Sequence, residues 1–190
     1  HSGEVFEEFV VPLFDAEWDK MREGDEFAPS LGKVPILWDG DCVVWDSLAI
    51  IDFLADRQGK ETYWPHDEPA CGMARSMAAE MHSGFANLRR ELPMNVRKTF
   101  PFKPLTEEVR DEIERILQLW AQARARFGGT GDFLFGNWCA VDMMYAPVVT
   151  RFITYSVPMP PFAELYMKAV LSHPHVGEWI DKAQDEPWVI

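Results

Sequence analysis

Two dipeptides hold the residues best placed to do chemistry: Val34-Pro35 and Asp46-Ser47. A proline that follows valine between two strands can take the cis form, which turns the valine's N–H and C=O outward, where an extended peptide can pair with them. The alternative is an edge-strand proline, whose missing N–H costs nothing there. Spacing alone leaves both open. Ser47 reads as the N-cap of a helix, and the free N–H groups and dipole at a helix N-terminus attract anions. Plain capping explains it equally well.

These residues need elements to position them. Val34-Pro35-Ile36-Leu37-Trp38 and Cys42-Val43-Val44-Trp45 are short apolar runs separated by Asp39-Gly40-Asp41, a hairpin signal. Residues 47–57 switch to helical spacing, with Leu48, Ile51 and Leu54 on one stripe, widened by Ile50 and Phe53, and Gly59 as a stop. Upstream, Val5 to Val11 is rich in β-branched and aromatic residues and predicts a strand ended by Pro12. Asp15 to Arg22 predicts a weak acidic helix or loop, and Ala28 to Gly32 a turn. Residues 63–68 read as a linker between a first half, 1–62, and a helical half, 69–190. In the second half the spacing predicts one long helix from Ala70 to about Leu92. Another follows from a Thr106 N-cap to Phe127, a third from Cys139 through Pro147 to Tyr155, then Pro161–Ser172 and Pro174–Gln184. Strands first and helices afterwards imply two domains. Three strands and little helix are too few to bury a core, so the first half is expected to be preceded by further chain.

The 190 residues carry 31 acids and 18 bases, a net charge of −13, and 17 of those acids lie in residues 1–68 with only 5 bases. Nucleic-acid binding needs a basic face, so it is excluded, and an acidic surface also disfavours anionic membranes. No apolar run approaches the roughly 20 residues of a membrane span. Three cysteines, Cys42, Cys71 and Cys139, without C-x-x-C spacing argue against a disulfide framework or zinc site and suit a reducing cytoplasm. His173 and His175 flank Pro174 and read as a helix boundary rather than a metal site.

Three motifs together resemble the glutathione transferase family: Gly32-Lys33-Val34-Pro35-Ile36-Leu37, then Trp45-Asp46-Ser47-Leu48-Ala49-Ile50-Ile51-Asp52-Phe53-Leu54, then Phe135-Gly136-Asn137-Trp138-Cys139-Ala140-Val141-Asp142. The stretch Ala79 to Phe85 and Met144-Tyr145-Ala146-Pro147 look closest to a bacterial branch. The resemblance implies an α/β thioredoxin-like N-terminal domain, lacking its first strand and helix here, followed by an all-α C-terminal domain. It also implies a cytoplasmic homodimer that conjugates the glutathione thiolate to an electrophilic small molecule without a metal. Other reactions of the same bound thiolate (isomerisation, peroxide reduction, dehalogenation) and a non-catalytic binding role remain open.

By the same resemblance, glutathione is held by Lys33, Val34, Asp46 and Ser47. The Val34 backbone pairs with the cysteinyl unit, the Ser47 helix start takes the γ-glutamyl carboxylate, Asp46 takes its ammonium, and Lys33 meets the glycyl carboxylate or is a solvated loop lysine. The catalytic hydroxyl or thiol is expected before His1 and is not assigned. Trp38, Trp45 and Trp64 either line a pocket or, as strand tryptophans usually do, join the core. Arg89, Arg90, Arg97, Lys98 and Lys103, with only Glu91 opposing, are a solvated face or a basic border of the substrate cleft. Cys139 stands where the family prefers serine or threonine as a helix cap. Asp142, three residues on, can reach back to the cap's N–H.

Overall fold

The structure is a computed structural model that describes residues 3, 5–13 and 16–187. The chain divides after Tyr63 into two compact units. The first contains α1 (Ala16–Met21), β1 (Ile36–Asp39), β2 (Cys42–Trp45), α2 (Ser47–Gln58) and α3 (Lys60–Tyr63). The second is helical: α4 (Glu68–Ser83), α5 (Ala86–Glu91), α6 (Glu107–Phe127), α7 (Ala140–Thr154), α8 (Pro161–Leu171) and α9 (Pro174–Asp185).

In the first unit β1 and β2 form an antiparallel hairpin, with Ile36 opposite Trp45 and Asp39 opposite Cys42. The loop is therefore Gly40-Asp41. Gly40 has φ of 58° and Asp41 is not in the positive-φ region, so glycine stands at the one position of a two-residue turn that demands it. The edge-to-face pair Trp18–Phe27, with ring centroids 5.2 Å apart, anchors a small core with Ala55 and Tyr63. The stripe of α2 is only half-covered, Ala55 being its one buried residue, because a two-stranded hairpin is too narrow to cover a three-turn helix.

The strand expected at Val5–Val11 does not form among the described residues: Val5, Phe6, Phe9 and Val10 are all exposed. β-propensity records fit to a pleated, half-buried surface, and without neighbours to supply that surface it selects nothing. Trp38 and Trp45 are likewise half-exposed rather than core. Trp64 is buried, with the Arg75 guanidinium over its ring at 5.1 Å. The last α3 turn and the buried Trp64 occupy what reads from two prolines as linker; Tyr63 donates its hydroxyl to Gln58 Oε1 at 2.5 Å.

The helical unit packs around Trp120, whose ring meets Tyr145, Phe152 and Tyr166 edge-on with centroids 5.7, 6.0 and 4.7 Å away. Leu88, Val109, Ile116, Leu134, Val141, Val149 and Val170 close the core. The single helix expected over 70–92 is two, α4 and α5. Gly84 ends α4 with its N–H on the Glu80 carbonyl, and a Cβ there would stand 2.7 Å from that same oxygen. Phe85 then turns at φ 58° while burying its ring. A non-glycine residue in the left-handed region is costly, so burial of the ring offsets the backbone strain. α5 has no cap of its own. Glu112 of α6 supplies one, accepting from Asn87 N (3.2 Å) and Leu88 N (2.7 Å). Thr106 caps α6 as its position predicts, accepting from Val109 N.

Candidate functional site

Immediately before β1 the chain is held by a tight turn. The buried Ser30 donates its hydroxyl to Phe27 O at 3.1 Å and accepts from Lys33 N at 3.1 Å. Lys33 N also reaches Ser30 O, and Gly32 N reaches Phe27 O. This fixes the backbone of Lys33 and leaves its side chain exposed with no partner among the described residues. Val34 follows, exposed, and the Val34–Pro35 peptide bond is cis. Of the two readings of this proline, the structure has the cis one. Neither the N–H nor the C=O of Val34 is engaged in the ladder or in a turn among the described residues.

The other half of the site is the start of α2. The ladder does not stop at Ile36 and Trp45. Asp46 N donates to Pro35 O at 3.3 Å, which carries the same register one residue further. This hydrogen bond brings Asp46 against Pro35, so Val34 and Ser47 each lie one residue beyond a paired position, and Lys33 precedes Val34.

The cap is a correction. Asp46, not Ser47, is the N-cap of α2; Ser47 is the first helical residue. Asp46 Oδ1 accepts from Leu48 N at 2.9 Å and Ala49 N at 3.3 Å, and Asp46 O accepts from Ile50 N. Asp46 reaches this geometry at φ 77° and ψ 129°, a positive-φ conformation outside the left-handed helical well, where a side chain carries backbone strain. The helix end therefore offers less than an open row of donors. What remains without a partner among the described residues is Ser47, with its N–H and its hydroxyl, half-exposed. Two adjacent donors beside a fixed carboxylate can bind a group that carries both charges: an anion at Ser47 and a cation at Asp46.

Sequence reasoning missed one tie. Asp39, at the turn end of β1, forms an ion pair with Arg57 in the last turn of α2. The cation at the helix C-terminus is favourable there, and the pair joins hairpin to helix at the end away from Val34. A charge alternating in position between a hairpin loop and the end of the next helix was the available signal.

In the helical unit, Cys139 is the N-cap of α7 and Asp142 is its N3 residue, accepting from Cys139 N at 2.9 Å and Leu134 N at 3.3 Å. Both are buried. Burial pushes the Cys139 thiol far above its ordinary range, and the nearby Asp142 charge adds to this. Thiolate is the reactive form, so Cys139 is structural. His173 is the N-cap of α9, the helix boundary its neighbouring proline predicts, with its ring stacked 3.8 Å from that of Trp138. Among the described residues no group of three or more His, Cys, Asp or Glu could hold a metal ion, and no helix is long and apolar enough to cross a membrane.

Residues 1–57 match the family described as "Glutathione S-transferase, N-terminal domain". The chain has the glutathione S-transferase fold, and its first 57 residues are similar to that family's N-terminal domain. A glutathione transferase homolog from Burkholderia gl BGR1, solved with bound glutathione, is 21% identical with a TM-score of 0.62, covering 83% of this chain and 76% of its own. Glutathione S-transferase isozyme E7 from Drosophila melanogaster is 20% identical at TM-score 0.60, covering 88% and 77%. A homolog from Drosophila mojavensis, also with bound glutathione, is 21% identical at TM-score 0.55, covering 90% and 83%. No curated protein matches the sequence. A thioredoxin-like N-terminal unit followed by a helical unit is the architecture this chain shares with those structures.

Proposed function

We propose that this chain is a glutathione transferase that binds glutathione along Lys33, Val34, Asp46 and Ser47 and conjugates its sulfur to an electrophilic small molecule. The observation that supports the reading is the hydrogen bond from Asp46 N to Pro35 O, which holds the residues next to Val34 and Ser47 against each other. Glutathione is a tripeptide with a zwitterionic γ-glutamyl end. Its cysteinyl N–H and C=O match the unpaired C=O and N–H of Val34, as an added strand would. Its γ-glutamyl carboxylate accepts from Ser47 N–H and Oγ–H, and its ammonium lies against Asp46. Lys33 meets the glycyl carboxylate at the other end. The match of residues 1–57 to the family's N-terminal domain and the glutathione bound by the Burkholderia and D. mojavensis homologs support the choice of ligand.

In conjugation the glutathione thiol loses its proton, the sulfur lone pair forms a bond to the electrophilic carbon, and the electron pair displaced there leaves with a leaving group or takes up a proton. The residues named above bind and orient the tripeptide; none of them supplies the hydroxyl or thiol that favours ionisation. The protein acts as a cytoplasmic homodimer on this reading. Calorimetric titration of the intact protein with glutathione tests it. One site per chain, weakened about tenfold or more by Ser47→Ala, is expected, and no heat at millimolar glutathione overturns it. A panel of aryl halide, hydroperoxide and haloalkane substrates then separates conjugation from other reactions of the same thiolate. Glutathione binding without turnover of any of them marks a binding protein.

A further inference from the structure

Two arginines in the helical unit have no role in the site described above. Arg89 lies on α5, and Arg151 lies near the end of α7. Arg151 Nε donates to Leu92 O, the residue that ends α5, at 3.0 Å, and its Nη1 donates to Pro147 O at 2.9 Å. Arg89, one turn before Leu92, sends Nη2 to Met81 O at 2.5 Å and Nε to Gly84 O at 3.3 Å. Both guanidinium groups are thus seated at the junction of α4, α5 and α7, held by backbone carbonyls, those of Met81, Gly84 and Leu92 at helix ends and that of Pro147 within α7.

Those carbonyls orient the two cations without neutralising them. Neither arginine has a carboxylate partner among the described residues. Each guanidinium carries five N–H donors. Arg89 Nη1 and Arg151 Nη2 take no partner among the described residues, and neither atom is sealed from solvent. The chain that follows supplies little negative charge, and the nearby Glu112 carboxylate is taken by Asn87 and Leu88. Residues 89–103 hold five bases against the single acid Glu91, in a chain whose net charge is −13. Glu91 itself is engaged by the Thr106 hydroxyl and by Arg90. Burial disfavours the charge on Arg151, and the repulsion of the neighbouring Arg89 adds to it.

From the unpartnered Nη groups of Arg89 and Arg151 at one helix junction, with their planes fixed by carbonyls, we infer a binding site for a small oxyanion, a carboxylate or phosphate group. Planar guanidinium forks suit such a group because two N–H donors match two oxygens. Tyr155, whose hydroxyl donates to Pro93 O at 2.9 Å and whose ring stacks on Phe100, holds the 93–100 segment beside it. The site lies wholly within the helical unit and does not rest on glutathione binding by the first unit.

The test is calorimetry of the intact protein with inorganic phosphate and, separately, succinate, at fixed ionic strength with chloride as the balancing anion. One saturable site per chain is expected for at least one of them, and which one binds distinguishes the phosphate from the carboxylate source. Arg89→Gln should weaken it about tenfold or more, while Arg90→Gln and Lys98→Gln, on the same basic stretch, should leave it within about twofold. Binding that falls equally in all three variants marks a diffuse basic surface and overturns the site, as does the absence of saturable heat with both anions. If Arg89→Gln fails to fold, the arginine Nε–Hε resonances of the unaltered protein decide. Shifts of Arg89 and Arg151 with added anion support the site, and their constancy overturns it.

Discussion

The backbone N–H of Asp46 points at the carbonyl of Pro35, 3.3 Å away, and by doing so joins the end of a hairpin to the start of a helix. The consequence is economical. That bond leaves the backbone N–H and C=O of the neighbouring Val34 unpaired and holds the cap of α2 against Pro35. Asp46 also spends its Oδ1 on Leu48 N and Ala49 N, so its carboxylate is fixed in position by the helix it begins.

That double role predicts how Asp46 responds to substitution. Asp46→Ala removes the cap, about 1 kcal/mol, and keeps a β-carbon at φ 77°, so the backbone strain of the parent is not relieved. Asp46→Gly removes the same cap but suits the positive φ, so it should destabilise less. Both lose the carboxylate and should weaken glutathione binding equally. Urea denaturation ranks the stabilities and calorimetry the affinities; glycine proving the more damaging of the two would show that φ does not matter here.

Glu112 should act as the missing cap of α5. Its carboxylate takes Asn87 N, Leu88 N and the Asn87 side chain amide at 2.9 Å, three donors from one short helix. Glu112→Ala strands these donors and is expected to cost about 2 kcal/mol. Glu112→Gln, which keeps an acceptor oxygen without the charge, should cost about half as much. Equal losses for the two variants would mean that the helix contact, not the carboxylate, matters.

Much of this was legible in the residues themselves. The Asp-Gly turn, the Thr106 cap, the glycine and proline stops and the apolar spacing of α6 each follow from local chemistry, and the choice of Lys33, Val34, Asp46 and Ser47 as a site came from the family's motifs. What was not legible depended on partners distant in sequence. The break at Gly84-Phe85 needs the Glu112 carboxylate, 25 residues from Asn87, to make α5 worth starting anew. The strand expected at 5–11 has the right residues and no neighbouring surface among the described ones. Ser47 looked like the cap because serine usually is one, and the positive φ that hands the role to Asp46 is set by the Pro35 carbonyl.

Cys139→Ser should stabilise the protein by up to about 1 kcal/mol. The cysteine side chain lies at the Asp142 N–H in the arrangement of a capping box, where sulfur is a poor acceptor and a hydroxyl a good one. The opposing half of the box, Cys139 N to Asp142 Oδ2 at 2.9 Å, does not involve the side chain and is kept. A rise in melting temperature of a few degrees is expected, and a fall would show that filling the buried volume with sulfur outweighs the better acceptor.

Asp142 should make stability depend on pH in the direction opposite to a salt-bridged acid. Burial raises its pKa to about 6, against the partial relief given by the N–H groups of Cys139 and Leu134. The folded protein therefore holds this proton more tightly than the unfolded chain does. The contribution is complete below about pH 4, where both states are protonated, and is lost as pH rises to about 6, after which both are ionised. For a group this buried the change is on the order of 2 kcal/mol. Asp142→Asn has no such titration, so the stability of the parent relative to this variant should fall between pH 4 and 6 and be level from pH 7 to 8. Urea denaturation at stepped pH measures the difference directly. A difference that grows with rising pH would mean that the α7 N-terminus and its N–H donors outweigh burial and hold Asp142 as a carboxylate.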